Sequence, residues 1–348
     1  MSLSVGIVGA GRRIQKVYGP LLAMLHPEFR MAGITTRSEE RGREAAAELE
    51  IPYYSDLERL IQPQKPDCLL VSVAHGANDE VGRTAVATGI PCLLETPAGT
   101  TPEAIDELIR ISQTSGSVVE VAEQYHRRPI ERLKQILIES GIFGSIVSAA
   151  NDFMGHDYHG LNLIRSYIGR EVAPVTVVGQ RQENTVEPAG GGRSQSETWW
   201  RAFVTFENGA VGRFDFSSLS YHTAWRWERQ TRFYGTRGMA RGDEMTVVDG
   251  EGERRVHLPV ERRLTNVGGM EVLAALAVRA EGTLYEWENP WRHVYVDDEG
   301  IAVAEGLRAL ARASAGGPLD YGLCEARVDQ ALTLAMRRSA ETRAPVPL

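Results

Sequence analysis

The chain opens with a strand, a glycine turn and a helix, and this unit constrains the fold more than any other feature. Leu3 to Val8 forms a short apolar run, Gly9-Ala10-Gly11 a tight turn, and Ile14, Val17, Leu21, Leu22 and Leu25 recur at helical spacing. The unit then repeats. A strand over Phe29 to Thr35 precedes an Ala-rich helix over Ser38 to Leu49, and Pro52 to Ser55 leads into a helix over Asp56 to Ile61. Further strands are expected over Cys68 to Val73, Pro91 to Leu94 and Val118 to Ala122. Between them lie a helix over Asp79 to Thr88 and one opened by the cap Thr101-Pro102-Glu103. Regular βα alternation means a parallel, doubly wound sheet with right-handed crossovers.

The rhythm changes after about residue 125. A helix over Pro129 to Ser140 stops at Gly141. Strand-like runs follow over Ile146 to Asn151, Val175 to Arg181, Trp200 to Phe206, Gly209 to Ser217 and Thr231 to Tyr234. The turn Glu207-Asn208-Gly209 joins two of them as a hairpin. Glu183 to Glu197, rich in Gly, Ser and Gln, reads as a surface loop, and helices return over Glu299 to Ala313 and Glu325 to Glu341. The fold class expected is α/β. Residues 1–124 form an N-terminal Rossmann dinucleotide-binding domain, and residues 125–348 a C-terminal α+β domain with a large, mainly antiparallel open sheet. At 348 residues the chain suits two such domains.

Charge and composition narrow the partners. A formal net charge of -8 argues against nucleic acid or an anionic membrane surface, both of which reward a basic face. Cys68, Cys92 and Cys324 are widely spaced and read as reduced, structural thiols, with no metal site implied. With neither a signal peptide nor a long apolar run, a cytoplasmic location is expected. Trp199, Trp200, Trp225 and Trp227 read as packing residues, and Arg226, Arg229 and Arg232 as a solvated or interface face.

The turn also carries chemistry. Gly9 and Gly11 let the backbone approach a pyrophosphate, while the helix behind them offers unpaired amides and the positive end of its dipole. Ile14 stands where a third small residue is usual. The second strand ends in Thr35-Thr36-Arg37-Ser38. An NAD site would place an acidic residue there, whereas hydroxyls and a guanidinium suit a 2'-phosphate. With Arg12 and Arg13 adding positive charge, NADP(H) is expected to be preferred and NAD(H) possible.

These landmarks occur in an order that resembles the glucose-fructose oxidoreductase, inositol dehydrogenase and MocA (Gfo/Idh/MocA) family. They are Gly9-Ala10-Gly11-Arg12, Asp67 to Val71, Glu95-Thr96-Pro97, Ala122-Glu123-Gln124-Tyr125, His159 to Gly169, Tyr234 to Gly238 and the terminal helix around Ser339. The resemblance implies a nicotinamide-dependent oxidoreductase acting on a small polar molecule, assembled as a homodimer or homotetramer through the C-terminal sheet. It implies cofactor contacts at Ala74, Asn78, Glu95, Thr96 and Pro97, beside Gly9, Gly11, Arg12, Arg13, Thr36, Arg37 and Ser38. Substrate contacts fall at Thr96, Gln124, Tyr158, Asn162 and Arg165.

Several family positions are altered. Thr96 replaces the lysine that polarises the substrate oxygen, and a threonine hydroxyl donates a hydrogen bond but carries no charge near neutrality. Gly155 and Asn162 occupy places where the family often has aspartates around its catalytic histidine, here His159. Ala74 and Asn78 stand where proline and histidine are common. His156 and His159, three apart on a helix start, share a face and can move protons near neutral pH, with Asp157 or Tyr125 orienting them. Three functions are compatible with these residues: an atypical sugar or cyclitol dehydrogenase, an imine or conjugated double-bond reductase, and a nucleotide-binding protein without catalysis.

Overall fold

The structure is a computed structural model and describes residues 2–186, 195–217, 229–250, 252 and 254–348. The chain divides into two compact units. The first comprises Met1–Arg128, Thr265–Val272 and Pro290–Val328, and the second Pro129–Leu264, Leu273–Asn289 and Asp329–Leu348. Residues 290–328 thus return to the first unit, and no single cut in the sequence separates the two.

In the first unit six strands form one parallel sheet: β1 (Leu3–Val8), β2 (Phe29–Thr35), β3 (Tyr53–Tyr54), β4 (Cys68–Val71), β5 (Cys92–Leu94) and β6 (Val119–Val121). Their order is β3-β2-β1-β4-β5-β6, the doubly wound arrangement of dinucleotide-binding domains. Val5, Ile7, Leu69, Leu70 and Leu93 have no exposed surface, as expected of parallel strands covered on both faces. The first helix is not continuous. A π-turn over Ile14–Tyr18, in which the Gly19 amide donates to the Ile14 carbonyl, runs into α1 (Gly19–Met24). The widened turn lies directly ahead of Pro20, which has no amide hydrogen to extend the ladder.

Helices α2 (Glu39–Glu48), α3 (Leu57–Gln64), α4 (Asn78–Ala87) and α5 (Pro102–Ser115) follow the anticipated pattern, and Thr101 caps α5 by accepting from the Ala104 amide.

A buried ionic network holds the returning segment to β6. Arg127 is 0% exposed. Its guanidinium donates to Asp320 at 2.7 Å, to the Val121 carbonyl at 3.2 Å and to Glu120. Glu120 also accepts from the Asp320 and Tyr321 amides. Burial pushes the Glu120 carboxyl up, opposed by Arg127.

The second unit begins with α6 (Pro129–Glu139) and contains a nine-stranded sheet. In chain order its strands are β7 (Ile146–Asp152), β8 (Pro174–Val186), β9 (Gln195–Phe206), β10 (Val211–Ser217), β11 (Gln230–Gly235), β12 (Gly238–Arg241), β13 (Glu244–Val248), β14 (Arg255–Leu258) and, at the far edge, β18 (Val346–Pro347). All pairs are antiparallel except β7 with β10. Helix α7 (Asp157–Ile168) packs on β7 and β10. A second, three-stranded sheet holds β15 (Glu261–Val267), β16 (Met270–Ala280) and β17 (Thr283–Glu288). The chain closes with α8 (Asp298–Ser314) and α9 (Leu323–Thr342) ahead of β18.

The expected loop over Glu183 to Glu197 is corrected at both ends. Residues 183–186 extend β8 and residues 195–197 begin β9, with Asn184 opposite Glu197 and Thr185 opposite Ser196. Backbone hydrogen bonds carry this ladder, so its polar side chains do not prevent pairing. Residues 187–194 of that loop, together with Trp225, Arg226 and Trp227, lie outside the described residues. Among the described residues no helix is long and apolar enough to cross a membrane.

Candidate active site

In the first unit the chain leaves β1 toward β2 on one side, while β4 leads to β5 on the other, which opens a crevice at their carboxyl ends. Gly9 begins this turn at φ 115° and donates to the Thr35 carbonyl at 2.8 Å. A Cβ on Gly9 would lie 2.0 Å from the Ser72 carbonyl oxygen, so only glycine fits there. A Cβ on Gly11, by contrast, meets nothing within 4 Å. Helical backbone starts at Arg12, and the Gln15 amide closes the first turn on the Gly11 carbonyl at 3.1 Å. The open glycine and the leading amides of a helix fit a dinucleotide pyrophosphate.

At the end of β2, Thr36 is half-buried while Arg37 and Ser38 are exposed. Ser38 caps α2, accepting from the Arg41 amide at 3.5 Å. Arg12 and Arg37 are exposed and form no ion pair among the described residues. Arg13 differs from its neighbour: its Nε donates to Glu95 at 2.7 Å, and its guanidinium lies 5.5 Å from the Tyr18 ring centroid. Burial opposes the Arg13 charge, yet Glu95 more than offsets this and holds the guanidinium firmly protonated. Burial also raises Tyr18, whose hydroxyl hydrogen-bonds Glu95.

Glu95 is therefore the hub of the tripeptide. Besides Arg13 and Tyr18 it accepts the Thr96 amide at 2.9 Å, and the Thr96 hydroxyl lies 3.5 Å from the same oxygen. Asn78 serves the same segment from α4, donating to the Pro97 carbonyl at 2.9 Å from a buried position. Ala74 is exposed and precedes a 3-10 turn over His75–Ala77. After β6, Glu123 accepts the Tyr125 amide at 3.0 Å, and the Gln124 side-chain oxygen is buried with no hydrogen-bond partner among the described residues.

In the second unit His156 stands at the N-cap position of α7 without a side-chain capping bond, and His159 is 5% exposed on the first turn. Their rings meet edge to face with centroids 4.7 Å apart, and the Tyr158 ring lies tilted against His159 with centroids 4.5 Å apart. Asp157, at φ 41°, has its carboxylate 3.5 Å from His156 Nδ1 and 3.1 Å from the Arg337 guanidinium. Burial works against its charge, but the hydrogen bond from His156 and the field of Arg337 hold the carboxyl below its ordinary value.

The approach to α7 is fixed by Asn151, which is 0% exposed. Its amide donates to the Gly155 carbonyl at 2.9 Å, and its oxygen accepts the Gly155 amide at 2.9 Å. A Cβ on Gly155 would sit 2.9 Å from both the Gly160 amide nitrogen and the His159 Cβ, so this position has no room for an aspartate. Asn162 is fully buried. Arg165 is turned inward, paired with Asp329 at 3.0 Å and donating to the Arg170 carbonyl at 3.1 Å. Its guanidinium is thereby committed to the interior. Sequence reasoning missed Tyr18, Asn151 and Arg337. Only Asn151 carries a local signal, an Asx residue four before a glycine.

Residues 3–123 match the family model described as the oxidoreductase family, NAD-binding Rossmann fold, and residues 152–241 match the GFO/IDH/MocA C-terminal domain. The chain belongs to the Gfo/Idh/MocA family of oxidoreductases. Solved structures agree in fold. A levoglucosan dehydrogenase in complex with NADH and levoglucosan superposes with a TM-score of 0.72 at 17% identity, covering 100% of this chain and 99% of the other. An oxidoreductase from Agrobacterium radiobacter, in complex with NAD+, L-tartaric acid and magnesium, gives 0.71 at 16% identity over 100% and 98%. The aldose-aldose oxidoreductase from Caulobacter crescentus, complexed with glycerol, gives 0.70 at 15% over 100% of both chains. No curated protein matches the sequence.

The lowered carboxyl of Asp157 has a definite sign. Its stabilising contribution is present above the ordinary carboxylate pKa of about 4 and disappears as pH falls through the lower folded value. Asp157→Asn is expected to unfold at lower urea than the parent at pH 7, with the gap narrowing by pH 3. A gap that stays constant between those pH values would exclude the ionic contribution.

Proposed function

We propose that the protein transfers hydride between a nicotinamide cofactor and a small polar substrate, a sugar, cyclitol or related carbonyl or alcohol. The observation that carries this reading is the glycine cradle at the β1–β4 crevice, where Gly9 is fixed against Ser72 and Gly11 faces open space. Gly9, Gly11 and the amides after them would hold the pyrophosphate, and the bound cofactor would supply the hydride acceptor or donor. His159 gives or takes the proton at the substrate oxygen, and His156, Asp157 and Tyr158 fix its ring. Tyr125 and Gln124 are the proposed neighbours of the substrate, and the Thr96 hydroxyl contributes a hydrogen bond without charge. The polyhydroxylated ligands of the levoglucosan and tartrate structures support the substrate class.

Thr96 also favours a second reading. An iminium or conjugated double bond is already activated for hydride attack and has less need of a lysine, so imines belong in the substrate panel beside sugars. His159→Ala is expected to lower kcat by about 10²- to 10⁴-fold with cofactor affinity retained. Unchanged turnover of a confirmed substrate would exclude His159 as the acid or base.

NADP(H) is the proposed preference, supported by Thr36 and by the exposed guanidiniums of Arg12 and Arg37, which form no ion pair among the described residues. Arg37→Ala is expected to weaken NADPH binding by about tenfold or more while leaving NADH nearly unaffected, as loss of a hydrogen bond to a charged group entails. Equal loss for both would refute the preference.

The second unit's sheet supports a homodimer or homotetramer, and a cytoplasmic location accords with this reading. On one face Val178, Phe203 and Tyr234 are 48%, 55% and 41% exposed around the paired charges of Arg213 and Asp152. Phe203→Arg is expected to reduce the mass seen by light scattering. An unshifted mass would place the contact elsewhere.

A further inference from the structure

The hydrogen bond from Arg13 to Glu95 joins residues 82 apart in sequence. It also spans strands that are not neighbours. Arg13 follows the glycine turn at the end of β1, Glu95 directly follows β5, and β4 lies between those strands. The pair therefore crosses the carboxyl edge of the sheet beside the β1–β4 crevice, the edge along which a dinucleotide lies in this fold.

The charges at this edge are unusual. Glu95 has a side chain only 12% exposed, and a carboxylate so placed requires compensation. Its sequence neighbour Thr96 supplies an amide and a hydroxyl but no charge. Tyr18 adds a neutral phenol, buried and held protonated. The compensating cation comes from Arg13, 2.7 Å away and 27% exposed. An arginine does not lose its proton at any working pH, so this cation sets a field and takes no part in proton transfer.

We propose that Arg13 and Glu95 form one positioning pair that sets the net charge beside the bound nicotinamide, with Arg13 providing the cation that this chain lacks at position 96. The proposal rests on the cofactor reading above. It deepens that reading by assigning Arg13 to the nicotinamide end of the site rather than to the 2'-phosphate.

An oxidised nicotinamide ring carries a positive charge and a reduced ring does not, so the two forms report the local field directly. Neutralising Arg13 exposes the Glu95 carboxylate and favours the oxidised form. Neutralising Glu95 leaves the guanidinium alone and favours the reduced form. At the separations of such a site, one uncompensated charge shifts the ratio of the two dissociation constants by about fivefold or more.

The experiment measures tryptophan-fluorescence titrations of NAD+, NADH, NADP+ and NADPH against the parent chain and four variants. For Arg13→Met the ratio of oxidised to reduced Kd is expected to fall by about fivefold, and for Glu95→Gln to rise by a similar factor. Arg13→Met with Glu95→Gln is expected to return close to the parent ratio. Arg13→Met with Thr96→Lys is expected to do the same, because the lysine restores a cation to Glu95. A structural role alone would raise both dissociation constants together and leave their ratio unmoved. That result, or shifts of the same sign for Arg13→Met and Glu95→Gln, overturns the proposal. Failure of the parent chain to bind any of the four nucleotides would instead refute the cofactor reading itself.

Discussion

Arg127 is a guanidinium with no exposed surface, and the arrangement of the first unit depends on how its charge is met. Glu120 and Asp320 supply two carboxylates, and the Val121 carbonyl takes a further hydrogen bond. A buried ion group of this kind adds little net stability against an apolar equivalent, yet losing one partner costs about 3–5 kcal/mol. Its effect is therefore on geometry. Arg127 is satisfied only when the loop carrying Asp320 and Tyr321 lies against β6, and this requirement brings residues 290–328 back to the first unit. Gly306 on α8 belongs to the same solution, since a Cβ there would approach the Arg127 guanidinium to 2.9 Å.

The turn between Glu123 and Arg127 inherits that rigidity. His126 is fully buried with Nε2 3.1 Å from Asp320, and the Tyr125 amide is held by Glu123. Gln124 and Tyr125, between them, have little backbone freedom. A segment that presents side chains to a ligand gains from such anchoring, because positional error of about an ångström is costly in catalysis. On the opposite side of the sheet order, Gly9 is held as tightly by a different means, its hydrogen bond to Thr35 and its contact with Ser72.

The first unit was largely legible in sequence because βα alternation is a local pattern and each crossover has one hand. Strand and helix positions over residues 3–121 agree to within a few residues. The exceptions are physical. Pro20 widens the first helix through a missing amide, which a periodicity of apolar residues does not register. Residues 183–186 and 195–197 pair as strands because the ladder is made by backbone groups, whereas composition describes side chains. The ion pairs Arg13–Glu95, Arg127–Asp320 and Asp157–Arg337 join residues 82, 193 and 180 apart, and sequence spacing contains no record of them. Arg165 illustrates the converse. Its place on the helix after His159 suggested a substrate contact, but Asp329 from α9 takes its charge into the interior.

Packing fixes the identity of the residue at position 155. Gly155 touches His159 and Gly160 so closely that no side chain fits, and the bond it accepts from the Asn151 amide and the one it donates to the Asn151 oxygen hold its backbone in that place. A Cβ on Gly160 would in turn lie 2.6 Å from the Gly155 carbonyl oxygen and from Phe214. A side chain at 155 is therefore excluded by two residues, His159 and Gly160. At position 155 the backbone packs closely against its neighbours, a steric constraint, whereas beside Thr96 the constraint is electrostatic, with the Glu95 carboxylate paired to Arg13 from 82 residues away.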